Sequence, residues 1–146
     1  MRNWTSALVG GLPVRSRVPG ATLDPMDVMT WVDGYERAWR GNDVAGLDQL
    51  FTADVRYLRS AYDDGLDGLE AVREFWSDDT PFTMRAEPVA VQGDTAVVRV
   101  EVHYGGDEPH EYRDLWILRF AGDGRVRHFE EWAHWPGMPG WNPAAE

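Results

Sequence analysis

Residues 112–135 read YRDLWILRFAGDGRVRHFEEWAHW. Two β-rich runs flank Gly122-Asp123-Gly124, residue types that tolerate left-handed backbone, so the stretch is expected to form a hairpin of two long strands. Side chains alternate along a strand. Tyr112, Asp114, Trp116, Leu118 and Phe120 therefore share one face, and Arg113, Leu115, Ile117 and Arg119 share the other. The second run divides into Phe129, Glu131 and Ala133 against His128, Glu130 and Trp132. Loop length decides which faces join. A two- or four-residue loop sets Asp114 opposite Glu131 and Trp116 opposite Phe129. A three-residue loop slips the register by one and sends Glu131 to the other side. In the first register two carboxylates meet beside two rings. Like charges in that relation are unfavourable. They persist if solvated, if they hold a cation, or if they share a proton, and a shared proton is how a protein keeps a general acid or base at neutral pH. The plainer alternative is a pair of wet, solubilising carboxylates.

The chain of 146 residues is expected to be one domain with a core of its own. Eight Trp, five Tyr and five Phe supply the flat apolar surface that lines small-molecule pockets, although most such rings serve simply as core. The formal net charge of −11 and the lack of a basic stripe argue against nucleic acid and against an anionic membrane surface. No run approaches membrane-spanning length. There is no Cys, hence no disulfide frame, thiolate nucleophile or Cys-based metal site. The four His, at 103, 110, 128 and 134, have no metal-ligating spacing, and no metal or cofactor is expected. The first residues lack an apolar core and cleavage site of the secretory kind, so a cytoplasmic protein is expected.

Residues 1–24, broken by Gly and Pro, read as a flexible N-terminal arm, 25–136 as the domain, and 137–146 as an irregular tail. Asp24 is placed to cap a first helix with Pro25 at its first position. Val28, Trp31, Val32, Tyr35, Ala38 and Trp39 follow at helical spacing, and Gly41-Asn42 ends it. A short second helix is expected over Val44, Leu47, Leu50 and Phe51. Residues 54–60 read as a strand with Val55, Tyr57 and Arg59 on one face, then a polar turn from Asp63 to Gly68. A short helix carrying Leu69, Val72, Phe75 and Trp76 comes next. FTMRAEPVAVQ reads as a strand bent at Pro88. TAVVRVEVHY is a strand with Ala96, Val98, Val100 and Val102 turned to the helices and Arg99, Glu101 and His103 turned away. The order α-α-β-α-β-β-β-β predicts an α+β fold, an antiparallel sheet curved over helices into a cone whose open end is a pocket.

YERAWRGNDVAGLDQLFTADVRY, GLEAVREFW and YRDLWILRFAGDGRVRHFEEW together resemble the SnoaL-like branch of the nuclear transport factor 2-like superfamily, over roughly residues 26–135. The likeness implies the cone-shaped fold, a strongly curved antiparallel sheet around three N-terminal helices. It leaves the activity open, because that superfamily holds ketosteroid isomerases, epoxide hydrolases, polyketide cyclases, dehydratases and binding modules. In the isomerase pattern Tyr35 falls at the oxyanion-hole tyrosine, but Arg59 stands near the general-base aspartate and Trp116 at the second oxyanion-hole acid, so that mechanism is not expected. In the epoxide hydrolase pattern Glu131 matches a catalytic strand aspartate. Arg99-Val100-Glu101 looks like the Arg-x-Asp element, yet alternation turns Arg99 and Glu101 away from the apolar face. A cyclase would need an acid, which Asp114 or Glu131 supplies, and a nearby His.

The expected function is cofactor-free acid–base chemistry of hydrolase, isomerase, cyclase or dehydratase type on a small hydrophobic substrate. Asp114 or Glu131 is the expected base, with Arg59 pairing the other carboxylate or a substrate oxygen and Tyr35 donating to an oxyanion. Tyr57 is a second donor. With it Trp39, Trp76, Val100, Val102, Trp116 and Phe129 are expected to line the pocket. The alternative is a non-catalytic module that binds a ligand or pairs subunits. The likeness also implies a homodimer through the convex sheet face, where Arg99, Glu101, His103, Leu115, Ile117 and Trp132 lie.

Overall fold

The computed structural model describes residues 22–76 and 80–138. Most of the expected N-terminal arm and most of the C-terminal tail lie outside them. Helix α1 (Pro25–Gly41) starts where the Asp24 carboxylate accepts the Met26 N–H at 2.8 Å and stops at Asn42, whose φ of 49° is left-handed. Its inner face buries Val28, Trp31, Val32, Tyr35 and Ala38. The expected second helix is a single 3-10 turn, Ala45–Gln49, that buries only Leu47. Phe51 belongs instead to strand β1 (Phe51–Leu58), which begins three residues earlier than the sequence suggests and ends before Arg59. The polar turn after it contains a two-residue strand, β2 (Leu66–Asp67), paired antiparallel with β1. Helix α2 (Leu69–Phe75) buries Leu69 and Val72 as expected. The order is thus one long helix, a 3-10 turn, two strands, a short helix and four strands.

Strands β3 (Phe82–Gln92), β4 (Thr95–Tyr104), β5 (His110–Phe120) and β6 (Val126–His134) form the expected antiparallel meander. The β3 ladder shifts register between Pro88 and Ala90, where proline has no N–H to give. One relation was not foreseen: β1 lies parallel to β6, so the curved six-stranded sheet runs β2-β1-β6-β5-β4-β3. This brings Tyr57 opposite Phe129, their rings stacked 4.4 Å apart.

The core fills the space between α1 and the sheet face bearing Val98, Val100, Trp116, Leu118 and Phe129, all buried. Trp31 and Tyr35 of α1 meet Phe129 at 6.2 and 5.5 Å. The Trp31 indole N–H donates to the Leu50 carbonyl at 2.8 Å, which satisfies the polar end of a buried ring. Arg40 closes the other end of α1, donating to the Phe82 carbonyl and lying over the Phe82 ring.

Candidate functional site

The turn between β5 and β6 decides which carboxylate enters the molecule. Ala121 N–H donates to the Arg125 carbonyl at 2.7 Å, closing a three-residue loop of Gly122, Asp123 and Gly124. Gly124 has a φ of 90°, which only glycine adopts without strain. That loop alone leads to the register in which Glu131 faces outward. A one-residue irregularity then intervenes: Phe120 pairs with Val126 but Arg119 pairs with His128, so Arg127 is extra. Beyond it Trp116 stands opposite Glu131 and Asp114 opposite Ala133. Asp114, Trp116 and Glu131 share the inner face, as one of the two sequence registers has it. The two acids are offset by two pairs along the ladder, diagonal neighbours on one face rather than directly opposed.

Asp114 is 5 % exposed, and its Oδ1 is buried without a hydrogen-bond partner among the described residues. Trp116, 2 % exposed, donates its indole N–H to Glu131 Oε2 at 3.1 Å. The buried Asp114 and Glu131 carboxyls interact and perturb each other's titration. Burial, and then the charge of Asp114, push the Glu131 carboxyl up to about 8. Burial also raises Asp114, against the opposing pull of its hydrogen bonds to Glu131 and Trp116 and the field of His134. Both carboxyls are thus pushed toward their neutral forms by burial, in the way proteins prepare acid–base groups.

Tyr35 and Tyr57 are both buried, with hydroxyls 2.9 Å apart. Burial raises both phenols well above their ordinary range, and the charge of Glu131 adds to the effect on each. They are therefore neutral hydrogen-bonding groups within electrostatic reach of Glu131. Trp39 stacks on Tyr35 at 6.2 Å, and Trp76 stands edge-on to Tyr35 and Trp39 at 5.1 and 4.7 Å. Val100 is opposite Asp114, and Val102 is the next inward position of the same strand.

Arg59 is elsewhere. Past the end of β1, its backbone N–H and its guanidinium all bind Asp63, at 2.8 to 3.1 Å. The Arg59 guanidinium holds the Asp63 carboxyl far below the usual carboxylate range. Asp63 sits four residues on in the polar turn, and a local partner at that spacing outcompetes a distant one. The expected contact between Arg59 and the two acids is thus not formed. Arg99 and Glu101 point away from the pair, as alternation requires, toward Glu87 and Arg85.

An open cleft of about 480 Å³ lies further along the same sheet, lined by residues that include Tyr104, His110, Tyr112 and Trp135. None of these stood among the expected site residues, although alternation already put Tyr112 on the face of Asp114.

The SnoaL-like domain profile matches residues 22–129. The chain belongs to the SnoaL-like family. No curated protein sequence matches it. Among solved structures, this SnoaL-like chain is similar to SalBIII, described as an epoxide hydrolase/cyclase-like enzyme in pyran ring formation in the polyether salinomycin. The two have 16% identity and a TM-score of 0.66 over 76% of this chain and 93% of the other. It is also similar to RV0760c from Mycobacterium tuberculosis, with 18% identity and a TM-score of 0.61 over 72% and 92% of the respective chains. At such identities the likeness speaks for the SnoaL-like fold. No described helix is long and apolar enough to cross a membrane.

Proposed function

We propose that the protein is an acid–base enzyme acting on a small, largely apolar, oxygen-bearing substrate. The buried Asp114–Glu131 pair carries the reading: burial and the charge of Asp114 raise the Glu131 carboxyl to about 8, and Asp114 Oδ1 has no hydrogen-bond partner among the described residues. In this scheme Asp114 Oδ1 accepts a proton from the substrate, from a hydroxyl or from carbon beside a carbonyl. Glu131 delivers its proton to the oxygen on which negative charge develops. The proton taken up by Asp114 then passes to Glu131 within the carboxyl pair, so the enzyme returns to its starting state. Tyr35 and Tyr57 supply neutral hydrogen-bond donation beside Glu131, where a low dielectric strengthens it. Arg59 has no part in this scheme.

Epoxide opening, ring closure by an internal hydroxyl, dehydration and double-bond isomerisation all use such a pair. The fold shared with SalBIII makes hydroxy-epoxides the first compounds to try. The test follows turnover of neutral epoxides, hydroxy-epoxides and β,γ-unsaturated ketones by mass spectrometry. Asp114→Asn is expected to lower an identified turnover by about a hundredfold or more, and Glu131→Gln likewise. Equal rates in both folded variants would sink the proposal.

One observation favours a second reading, a module that binds without turnover. Tyr35 and Tyr57 satisfy each other, and Phe129, Trp116 and Trp76 pack closely around Tyr35. Ligand retention with no product from any compound, in the wild type and both variants alike, would mark that case.

A further inference from the structure

The inward surroundings of Asp114 are uneven. Val100 of β4 stands opposite it on one side and Ala133 of β6 on the other. Trp116 and Tyr112 flank it along β5, each about 7 Å away on the same face. Directly opposed side chains have their Cβ atoms about 5 Å apart, so these four residues set what can approach the carboxyl. Val100 is fully buried and Trp116 is almost so, and those two sides are sealed. Tyr112 and Ala133 are only half-buried. Ala133 also brings no more than a methyl group, between Glu131 and Trp135 along its own chain.

The thin side is also the side of open space. Tyr112 and Trp135 lie one inward position beyond Asp114 and Ala133, and their rings meet edge to face at 6.1 Å and 76°. Both line the cleft of about 480 Å³. A lone methyl group among large neighbours leaves the room of a missing side chain beside Asp114, and close-packed proteins leave few such gaps. Asp114 Oδ1, the acceptor beside it, is buried with no partner among the described residues. A buried acceptor without a hydrogen bond is costly, and a ligand hydroxyl would relieve that cost.

We propose that Ala133 is a specificity-determining residue of the acid pair. The reacting end of the substrate sits over its methyl group and donates a hydroxyl to Asp114 Oδ1, and the remainder extends past Tyr112 toward the cleft. The proposal rests on the acid–base reading for its chemistry, although the binding it describes can be measured without turnover. The side chain at 133 then decides how heavily substituted the hydroxyl-bearing carbon can be.

The test uses the full chain and two neutral alcohols, benzyl alcohol and 2-phenylpropan-2-ol, which differ only by two methyl groups on the hydroxyl-bearing carbon. Binding is followed by the NMR shift of the Trp116 indole N–H, the group that donates to Glu131. Turnover of hydroxy-epoxides is measured in parallel. Benzyl alcohol is expected to give a saturable shift in the wild type. Ala133→Val should weaken benzyl alcohol about tenfold and the branched alcohol about tenfold more. Ala133→Gly should move the preference about tenfold toward the branched alcohol. A merely structural role for Ala133 would change both alcohols alike, and that outcome overturns the proposal. So does the absence of a saturable shift in the wild type. If the preference moves as expected while nothing is turned over, the acid–base reading falls and the proposal stands. If hydroxy-epoxides are turned over while both variants bind the alcohols as the wild type does, the proposal falls and the reading stands.

Discussion

Trp116 and Glu131 face each other across neighbouring strands, and the indole N–H of one holds the carboxyl of the other at 3.1 Å. The same N–H stabilises the ionised form of both Glu131 and Asp114. Trp116→Phe keeps a ring in the core and deletes the donor. Both carboxyls are expected to titrate higher in this variant, as read by carbon NMR of the side-chain carboxyls, and any identified turnover should fall by roughly tenfold. A purely structural tryptophan would leave those titrations unmoved.

Stability should depend on pH with a definite sign. Glu131 is raised from 4.5 to about 8 in the folded protein, so between those values the fold binds more protons than the unfolded chain. Its contribution is complete below the unfolded value and is lost as pH rises through about 8. Asp114, raised as well, acts in the same direction. Asp63 and Asp123 are lowered, and their contributions are lost at the acid end instead. Urea unfolding is therefore expected to show stability falling from pH 5 to pH 9 by on the order of a few kcal/mol. Glu131→Gln should flatten that slope, and an unchanged slope in the variant would refute the assignment.

The two buried phenols form a unit. Tyr35→Phe strands the Tyr57 hydroxyl, and Tyr57→Phe strands that of Tyr35, each at an expected cost of about 1–3 kcal/mol. The double variant should cost less than the sum of the two, because no hydroxyl is then left without its partner. Denaturant titrations of the four proteins check this directly, and strict additivity would mean the 2.9 Å contact contributes nothing.

On the outer sheet face Leu115 and Trp132 are directly opposed, and each is 39 % exposed. If two copies pair through this face, as proposed from the family likeness, Leu115→Lys and Trp132→Lys should shift sedimentation from dimer to monomer. The acid pair, on the other face, should keep its titration. A monomer in the wild type at micromolar concentration would end the proposal.

Where the sequence could be read and where it could not has a physical pattern. Helix α1, strand β4 and the bend of β3 at Pro88 were legible because each has a local cause: the Asp24 cap, strict alternation, and a missing N–H. The 3-10 turn was not, since Leu47, Leu50 and Phe51 fit a helical spacing equally well and only the early start of β1 separates them. The parallel pairing of β1 with β6 joins residues some seventy positions apart, for which no local pattern exists. In the site, alternation put Asp114 and Trp116 on one face, but the partner of Glu131 depended on a turn and an irregularity together. Arg59 was misplaced because strand alternation was extended one residue past the strand's end, to where Asp63 captures the guanidinium.

The extra residue at Arg127 bears on how the gene can change. Removing one residue from the Gly122–Gly124 turn, or Arg127 itself, would each invert the inside and outside of one strand relative to its neighbour, exchanging Glu131 for Glu130 in the interior. Removing both together would restore the arrangement. Length variation in this hairpin is therefore expected in coupled steps, with single-residue deletions poorly tolerated and paired ones tolerated well.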